Sequence, residues 1–357
     1  MHPFESMTEH DHEQVVFCRD AETGLRAIIA IHDTSLGPAL GGCRLYDYAA
    51  ESDALRDVLR LSRGMTYKAA VAGLDLGGGK SVIIGDRNIK SEALFRAFGR
   101  FVESLGGRYI TAEDMNTNVQ DMDTIRRETQ WVTGVGAHAG GSGDPSPVTA
   151  WGVFHGLKAS LEVVYGSSDV DGKTVAIQGM GNVGYWLAKY LHDEGAKMIY
   201  TDIDNARLDR VMSEFGGTVV DGDEWYGVQC DVLAPCAIGG IINSRTIPRI
   251  KAPIVAGGAN NVLEEEVRDG EALVERNITY APDYVINAGG LMSVYAELRK
   301  HPHQKAMDDS RRIFDTVKSV LVKAQADGLT SIEASNRLAE ERIAAVRSVK
   351  RLWTGRL

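Results

Sequence analysis

The sequence predicts an α/β protein with two domains. Its 357 residues exceed what one ordinary hydrophobic core holds, so about two domains are expected. After residue 150, short apolar stretches alternate with helical ones, the pattern of a parallel sheet built from strand–helix–strand units. Between residues 134 and 149 the composition shifts to glycine, serine and proline, which indicates a hinge or, on composition alone, a plain surface loop.

The N-terminal segment predicts a hairpin, a loop and a helix. Residues 14–31 alternate apolar and polar side chains around a turn at residues 20–24, as the strands of an antiparallel hairpin do. Glycine and proline in residues 34–42 indicate a loop. Apolar side chains at helical spacing predict a helix over residues 52–64, with Ser52 as its N-cap.

The same two periodicities place the later elements. In chain order we expect a strand at 82–84, a helix at 91–105, a strand at 108–111, a helix at 119–129, a helix at 150–164, a strand at 175–178, a helix at 185–194 and a strand at 198–202. The C-terminal part, residues 308–349, is strongly helical with a break near Gly328.

Composition excludes several classes of function. A net charge of −10, from 39 basic and 49 acidic residues, argues against a nucleic-acid partner. The four scattered cysteines fit a reducing cytoplasm and form neither a zinc nor a disulfide framework, so no metal is expected. The sequence has neither a signal peptide nor an apolar run of bilayer length, so we expect a cytoplasmic protein with no membrane partner. Cys236 could be a nucleophile or, more commonly, a small buried thiol.

Two lysines lie close to a run of glycines. Lys68 ends the segment GMTYK, and Lys80 follows three consecutive glycines in LDLGGGK, residues 74–80. Three glycines let the backbone bend and let a ligand approach it closely. A lysine held there near another lysine and partly out of water should lose its proton more easily than a free one, and so act as a base. A glycine turn with a surface lysine is the plainer interpretation.

A dinucleotide fingerprint follows the strand at residues 175–178. GMGNVG, residues 179–184, has the spacing G-x-G-x-x-G between strand and helix, which allows a tight turn, approach of the pyrophosphate and close helix packing. The cofactor-binding residues of this turn are Gly179, Gly181, Asn182, Val183 and Gly184. Asp202 ends the next strand and would bind the adenosine ribose and repel a 2′-phosphate, so NAD is favoured over NADP. Arg207 could instead favour a phosphate, and Asp202 could instead cap a helix.

Several motifs in fixed order resemble a known family. They are GGGK at residues 77–80, D-x-NT at 114–117, the G-x-G-x-x-G turn and NAGG at 287–290. In this order they resemble the amino-acid dehydrogenases of the glutamate/leucine/phenylalanine/valine superfamily. The chain length and the segments LGPALGG (36–42), APCA (234–237) and APDYVIN (281–287) are most similar to the leucine dehydrogenases of that superfamily. The resemblance covers nearly the whole chain.

The resemblance implies reversible oxidative deamination, in which an L-amino acid, water and NAD give a 2-oxo acid, ammonium and NADH. By position, Lys68 would bind the substrate carboxylate, Lys80 would be the base that activates water, and Asp114 would carry protons to and from the amine. On the residues alone, Asp114 could also cap the following helix, and Lys68 could be a surface lysine with a buried stem.

The resemblance also implies the remaining site residues. The polar end of the substrate would be lined by Gly41, Gly42 and Asn261. An apolar wall around its side chain would be formed by Leu40, Ala112, Leu291 and Val294. The cofactor would also be bound by Thr149, Cys236, Ala237 and Asn287, with Thr149 and Asn287 near the nicotinamide.

Branched aliphatic amino acids (leucine, valine and isoleucine) are the expected substrates. An apolar wall rejects a second carboxylate because burying an unpaired charge is costly. One methylene changes affinity by only about 1–3 kcal/mol, so discrimination among the three should be loose. MNTN at residues 115–118, Cys43 and Leu291 depart from the leucine pattern and keep phenylalanine and then tryptophan dehydrogenase as rivals. A non-catalytic NAD-binding regulator on the same fold is the alternative from another class.

The expected domains follow from these assignments. Residues 1–134, with a C-terminal helix at 331–357, would form an α/β substrate and oligomerisation domain. Residues 135–330 would form a Rossmann-type NAD-binding domain. The resemblance implies a homo-oligomer, either an octamer or a dimer.

Overall fold

The computed structural model describes residues 3–136, 138, 140–141 and 143–349. The chain forms two compact units, named unit 1 and unit 2 below. Unit 1 comprises Met1–Gly143, Glu297–Lys300 and Ala339–Leu357, and unit 2 comprises Asp144–Ala296 and His301–Leu338. Both combine helices with a sheet, so the predicted α/β class is confirmed. The predicted domain boundaries, after residue 134 and before residue 331, stay a prediction.

Unit 1 is built around a mixed sheet. Its elements in chain order are α1 Pro3–Glu9, β1 Gln14–Asp20, β2 Leu25–Asp33, β3 Ala39–Tyr46, α2 Glu51–Val71, β4 Gly77–Ile84, α3 Glu92–Ser104, β5 Tyr109–Glu113 and α4 Val119–Arg126. The sheet order is β1-β2-β4-β3-β5. The predicted hairpin is confirmed, because β1 and β2 pair antiparallel. β3 lies between β4 and β5 and runs parallel to both, so the carboxyl ends of these three strands meet at one edge.

Helices cover both faces of this sheet. Successive residues of a strand point to opposite faces, and β2 shows this clearly. Ile28 lies in one apolar cluster with Leu55 of α2, while Ile29 lies in another with Phe98 of α3. All four side chains are at most 4% exposed. Because β2 is covered from both sides, its residues 27–31 form a continuous apolar run, so the alternation expected over residues 14–31 does not hold in this strand.

The predicted glycine bend at residues 77–79 and loop at residues 34–42 are partly wrong. Residues 77–79 begin β4 in extended conformation, and residues 39–42 begin β3. None of these glycines is among the residues with positive φ. The glycines are required by close packing instead. A Cβ at Gly78 would collide with the backbone nitrogen of Thr66 and the carbonyl of Ser62, so the missing side chain lets α2 lie directly on β4.

Helix α2 begins earlier and ends later than predicted. It starts after Ala50, and no described side chain caps it, so the prediction of Ser52 as N-cap is wrong. It continues through Gly64 for two further turns, because a helix tolerates an isolated glycine at a cost of about 1 kcal/mol. This extension places Lys68 in the last turn of α2.

Unit 2 is built around a parallel sheet. Its elements are α5 Ser146–Tyr165, β6 Thr174–Gln178, α6 Asn182–Asp193, β7 Lys197–Thr201, α7 Asn205–Phe215, β8 Thr218–Val219, β9 Val232–Pro235, β10 Ile254–Val255, α8 Glu266–Glu275, β11 Thr279–Tyr280, α9 Asp283–Ile286, α10 Gly289–Leu298, α11 His303–Ser310, α12 Ile313–Asp327 and α13 Ser331–Val349. The last residues of α10 and the second half of α13 belong to unit 1.

The strand order of unit 2 is that of a Rossmann fold. The order β11-β10-β9-β6-β7-β8 is parallel throughout, and the chain reverses direction across the sheet between β6 and β9. Ligands of such sheets bind outside the carboxyl ends of the strands at this switch point, where β6 delivers the glycine turn. The predicted break near Gly328 is confirmed, because this residue ends α12 with φ +65°. Among the described residues, no helix is both long and apolar enough to cross a membrane.

The packing of α2 on β4 generates a stability prediction. We predict that Gly78→Ala lowers the free energy of unfolding by about 1–3 kcal/mol or more, because the added methyl meets helix backbone that cannot rotate away. Urea denaturation measures this. Gly64→Ala is the matched control, since no described atom outside the neighbouring backbone of α2 lies within 4 Å of its added Cβ, and it should be neutral or stabilising. Equal effects of the two substitutions would contradict the packing argument.

Candidate active site

A partly buried ion pair links β4 to the carboxyl end of β5 in unit 1. Lys80 is carried by β4 and is 5% exposed, and Asp114 directly follows β5. The Lys80 ammonium donates to Asp114 Oδ1 at 2.7 Å. This contact joins two strands that are separated by β3. The two residues that the sequence placed at the reaction centre are therefore brought together within one unit.

Two glycines of β3 make room for this pair. A Cβ at Gly42 would lie 2.8 Å from Asp114 Cβ and 2.5 Å from the carbonyl oxygen of Glu113. A Cβ at Gly41 would collide with the carbonyl oxygen of Gly79. Both positions therefore have a packing reason to be glycine. Their predicted contact with the polar end of a substrate stays a prediction.

Asp114 is held by two cations. Arg44 Nε donates to Asp114 Oδ2 at 2.9 Å, on the side opposite Lys80. Burial alone would raise the pKa of the Asp114 carboxyl, but the Lys80 ammonium and the Arg44 guanidinium outweigh burial and hold this pKa below its ordinary value. The carboxylate is therefore ionised at neutral pH.

The loop after β5 fixes the backbone of Asp114. The Asp114 N–H donates to Thr117 Oγ1 at 2.8 Å, and this hydroxyl donates to the carbonyl of Cys43 at 2.8 Å. Asn118, and not Asp114, caps α4, in a reciprocal box with Asp121. The alternative that Asp114 is a helix cap is therefore wrong.

The other predicted substrate residues of unit 1 lie on neighbouring elements. Leu40 of β3 pairs with Ile110 of β5 and is 3% exposed. Two residues further along the same ladder, Ala112 pairs with Gly42. Lys68 is half-buried in the last turn of α2, the helix that packs on the strand of Lys80.

In unit 2, the three fingerprint glycines have three different surroundings. Gly179 adopts φ +90°, and its added Cβ would lie 2.6 Å from Ala237 Cβ. A Cβ at Gly184 would collide with the carbonyl oxygen of Gly179, so this glycine lets α6 pack against the turn. Gly181 faces open space, and the nearest described atom to its added Cβ is Arg207 Nη1 at 3.8 Å. Only the middle glycine therefore leaves room for a ligand, beside the start of α6, where Asn182 and Val183 form the first turn.

Asp202 follows β7 and faces the same turn. Its carboxylate accepts from the N–H of Met180 at 2.5 Å and from the N–H of Asp204 at 2.8 Å. A cavity of about 230 Å³ opens beside the turn and is lined in part by Gly181, Asn182 and Arg207. Arg207 pairs with Asp204 at 3.3 Å.

Three further predicted residues lie near the starts of α5 and α10. Thr149 donates to the carbonyl of Pro145 at 3.0 Å, and a Cβ at Gly289 would lie 2.9 Å from Thr149 Cα. The Asn287 amide donates to Asn260 Oδ1 at 2.8 Å. Asn261 follows in left-handed conformation with φ +50° and is exposed.

The remaining predicted residues of unit 2 differ in exposure. On α10, Leu291 is 6% exposed and Val294 is half-buried. Ala237 is exposed beside the glycine turn. Burial raises the pKa of the Cys236 thiol to about 12, and its sulfur accepts from the N–H of Gly258 at 3.4 Å. A thiol this hard to ionise is unsuited to nucleophilic attack, so its half-buried site fits the alternative of a small thiol in packing.

Sequence reasoning missed the groups that surround Asp114. Arg44 and Thr117 both contact it, and Asp57 of α2 binds Arg44 in turn. The available signal was a charged residue on an otherwise apolar strand, two positions after Gly42. Such a charge inside a sheet needs a partner, although the sequence does not say which.

Comparison with known proteins decides the family. Residues 12–131 match the model of the "Glu/Leu/Phe/Val dehydrogenase, dimerisation domain", and residues 140–202 and 200–354 match that of the "Glutamate/Leucine/Phenylalanine/Valine dehydrogenase". The chain belongs to the glutamate/leucine/phenylalanine/valine dehydrogenase family. The resemblance predicted from the motifs is confirmed.

Individual members of this family match over nearly their whole length. Leucine dehydrogenase of Geobacillus stearothermophilus is 54% identical over 351 residues, covering 98% of this chain and 95% of the relative. Phenylalanine dehydrogenase of Bacillus thermotolerans is 49% identical over 358 residues, covering 99% and 93%. The crystal structure of L-tryptophan dehydrogenase from Nostoc punctiforme is 46% identical with a TM-score of 0.89, covering 97% of this chain and 99% of that one.

Family membership implies a nicotinamide cofactor, and unit 2 has a place that fits one. The open space at Gly181 lies at the N-terminus of α6, where backbone N–H groups and the helix dipole favour a pyrophosphate. The Asp202 carboxylate beside it offers acceptors to ribose hydroxyls. A cofactor bound there would supply the hydride acceptor.

The contrast between the glycines generates a binding prediction. We predict that Gly181→Ala weakens NADH binding at least about tenfold but changes the free energy of unfolding by no more than about 1 kcal/mol, because the methyl enters only the ligand space. Gly184→Ala should instead destabilise the fold. NADH fluorescence titration and urea denaturation separate the two effects. Unchanged affinity in a folded Gly181→Ala protein would exclude this turn as the cofactor site.

Proposed function

We propose that the protein catalyses the NAD-dependent, reversible oxidative deamination of leucine, valine and isoleucine. The L-amino acid, NAD⁺ and water give the 2-oxo acid, ammonium, NADH and a proton. The observation that carries this proposal is the hydrogen bond between the buried Lys80 and the partly buried Asp114, in a chain whose sequence resembles leucine dehydrogenases over nearly its whole length. The pair supplies the proton acceptor and donor that removal of an amine requires.

Three polar residues of unit 1 have proposed roles in the reaction. Lys68 binds the substrate carboxylate and so fixes the orientation of Cα. Lys80 first passes a proton of its ammonium along its hydrogen bond to Asp114. As the neutral amine it then takes the proton from the attacking water, and it stabilises the carbinolamine that forms on the substrate. Asp114 passes protons to and from the nitrogen. The 2.7 Å hydrogen bond between Lys80 and Asp114 supports this division, because a proton can move between adjacent groups without crossing water.

The surroundings of Asp202 support NAD over NADP. A carboxylate at the end of β7 binds the ribose hydroxyls and repels a phosphate on the same position. Arg207, the residue that could favour that phosphate, is paired with the Asp204 carboxylate. The local balance of charge therefore favours the cofactor without the extra phosphate.

The predicted wall of the side-chain pocket supports an aliphatic substrate. The four residues that the sequence predicts for this wall, Leu40, Ala112, Leu291 and Val294, are all apolar, so none of them can pair with a second carboxylate. Phenylalanine and tryptophan dehydrogenase stay as rivals, because members that carry these names also match over nearly the whole chain. A non-catalytic regulator is disfavoured, because such a protein would have no need of the Lys80–Asp114 pair.

Assembly and location are part of the proposal. The match to a dimerisation domain over residues 12–131 supports a homo-oligomer, with a dimer or an octamer as the expected sizes. The cytoplasm is the expected location, as the cysteine pattern predicts.

The proposed base can be tested by removing it. We predict that Lys80→Ala lowers kcat by about 10²–10⁴-fold while NADH still binds, because the lost group acts on the substrate and not on the cofactor. Stopped-flow absorbance of NADH measures turnover, and fluorescence titration measures binding. Lys90→Ala, which removes a lysine paired with Asp121 in the same unit, is the control and should keep near-normal turnover. Retention of more than about 1% of kcat by Lys80→Ala would contradict the base role.

A substrate panel tests the aliphatic pocket. We predict that the kcat/KM values for leucine, valine and isoleucine differ by no more than about 10–200-fold, since valine is one methylene smaller than the isomers leucine and isoleucine. Glutamate should be rejected more strongly, because its second carboxylate would be buried unpaired. NADH formation at alkaline pH with each amino acid is the measurement. A tenfold or greater preference for phenylalanine or tryptophan would show that the aliphatic assignment is wrong.

A further inference from the structure

Unit 1 contains a row of alternating charges that extends beyond the Lys80–Asp114 pair. Arg44 Nε donates to Asp114 Oδ2 at 2.9 Å, and Arg44 Nη1 donates to Asp57 Oδ2 at 2.8 Å. Tyr48 also donates to this Asp57 oxygen, at 2.6 Å. The side chains of Arg44 and Asp57 are 17% and 16% exposed, so solvent screens them only partly.

The row connects four different elements. Lys80 lies on β4, Asp114 follows β5, Arg44 lies on β3 and Asp57 lies on α2. A guanidinium is planar and presents its N–H groups in a fixed fork, so it can hold two carboxylates at a defined angle. The ammonium of a lysine cannot do this. The geometry of the row therefore depends on arginine at this position.

We propose that Arg44 is a positioning residue for the Lys80–Asp114 pair, and that Asp57 holds Arg44 in place. The proposal rests on the proposed function, because it assigns Arg44 to the proton chemistry of that pair. Arg44 binds Oδ2 of Asp114 and thereby turns Oδ1 toward Lys80. It also keeps this partly buried carboxylate ionised, which a single lysine would do less well.

Other titratable groups near Asp114 do not compete for this role. Cys43 of β3 and Tyr109 of β5 stay neutral, since burial raises the pKa of the Cys43 thiol to about 12 and that of the Tyr109 phenol further. Asp121 of α4 is paired with Lys90. Among the groups described around Asp114, the charges that can change its proton affinity strongly are therefore Lys80, Arg44 and, through Arg44, Asp57.

The charge row makes two substitutions shift activity in opposite directions. Arg44→Met removes a cation, so the pair holds its proton more tightly, and the acidic limb of the kcat/KM profile should move to higher pH. Asp57→Asn removes the anion that pairs with Arg44 and, at 3.3 Å, with the exposed Arg60. The Arg44 charge then acts on Asp114 alone, so the limb should move to lower pH. Arg44→Met should also lower kcat on the order of 10²-fold through misorientation of Asp114.

The experiment is a pH series of kcat/KM and kcat for leucine at saturating NAD and low ionic strength, with NADH affinity measured in parallel. Arg44→Lys should keep the limb near its normal position, because the charge remains, while kcat recovers only in part. Arg56→Met is the control: this exposed residue of α2 pairs with Asp53 outside the row, and both readouts should match the parent protein.

Normal kcat and a normal limb in an Arg44→Met protein that binds NADH would overturn the proposal, as would limb shifts of the same sign in Arg44→Met and Asp57→Asn. If Arg44→Met does not fold, Arg44→Lys and Asp57→Asn decide, and a normal pH profile in both rejects the role.

If the parent protein turns over no amino acid, the proposed function fails separately. A carboxyl carbon NMR titration of Asp114, with Asp114→Asn for assignment, then tests Arg44 directly, because Arg44→Met should raise the pKa of this carboxyl and an unchanged titration would reject the proposal.

Discussion

The hydrogen bond between Lys80 and Asp114 is the interaction on which the site in unit 1 depends. Taking an ammonium and a carboxylate out of water is costly, and removing one partner of a fully buried pair typically costs about 3–5 kcal/mol. The cost here is smaller, because 22% of the Asp114 side chain stays exposed. This cost is offset by a second cation, Arg44, which binds Asp114, and by the glycines of β3, which let the neighbouring strands approach closely. The charged pair is therefore held in one geometry before any substrate binds, which is the arrangement that proton transfer needs.

Glycine is what brings the pair together, although not by bending the chain. Gly41 and Gly42 lie on β3, the strand between Lys80 and Asp114, and their missing side chains leave room for the backbone of the neighbouring strands. Gly78 lets α2 lie on β4. The GGGK motif suggests a turn because glycine is common where φ is positive. A sequence does not distinguish a glycine needed for positive φ from one needed for close packing, because the second kind depends on a neighbour that is distant in the chain.

The parts of the structure that could be predicted from the sequence are those governed by local rules. The hairpin of β1 and β2, the G-x-G-x-x-G turn after β6 and the break at Gly328 each follow from a few consecutive residues. The cap of α4 was missed because Asp114 and Asn118 both have the side chain of a cap, and only the observed loop selects Asn118. Arg44 and Asp57 are 13 positions apart on a strand and a helix, so no periodicity relates them.

Substrate preference is harder to read than reaction chemistry for an energetic reason. The chemistry depends on charged groups whose loss costs several kcal/mol, so their identities are tightly constrained. The choice between leucine and phenylalanine depends on the volume of apolar side chains, where each methylene changes affinity by only about 1–3 kcal/mol. Leu40 stands on a strand fixed by glycine packing, and α10 begins at Gly289, whose missing side chain lets it approach Thr149. In the proposed function, a different side-chain volume at a predicted pocket residue such as Leu291 would leave the charged pair of unit 1 unchanged, so preference could change while the chemistry stays the same.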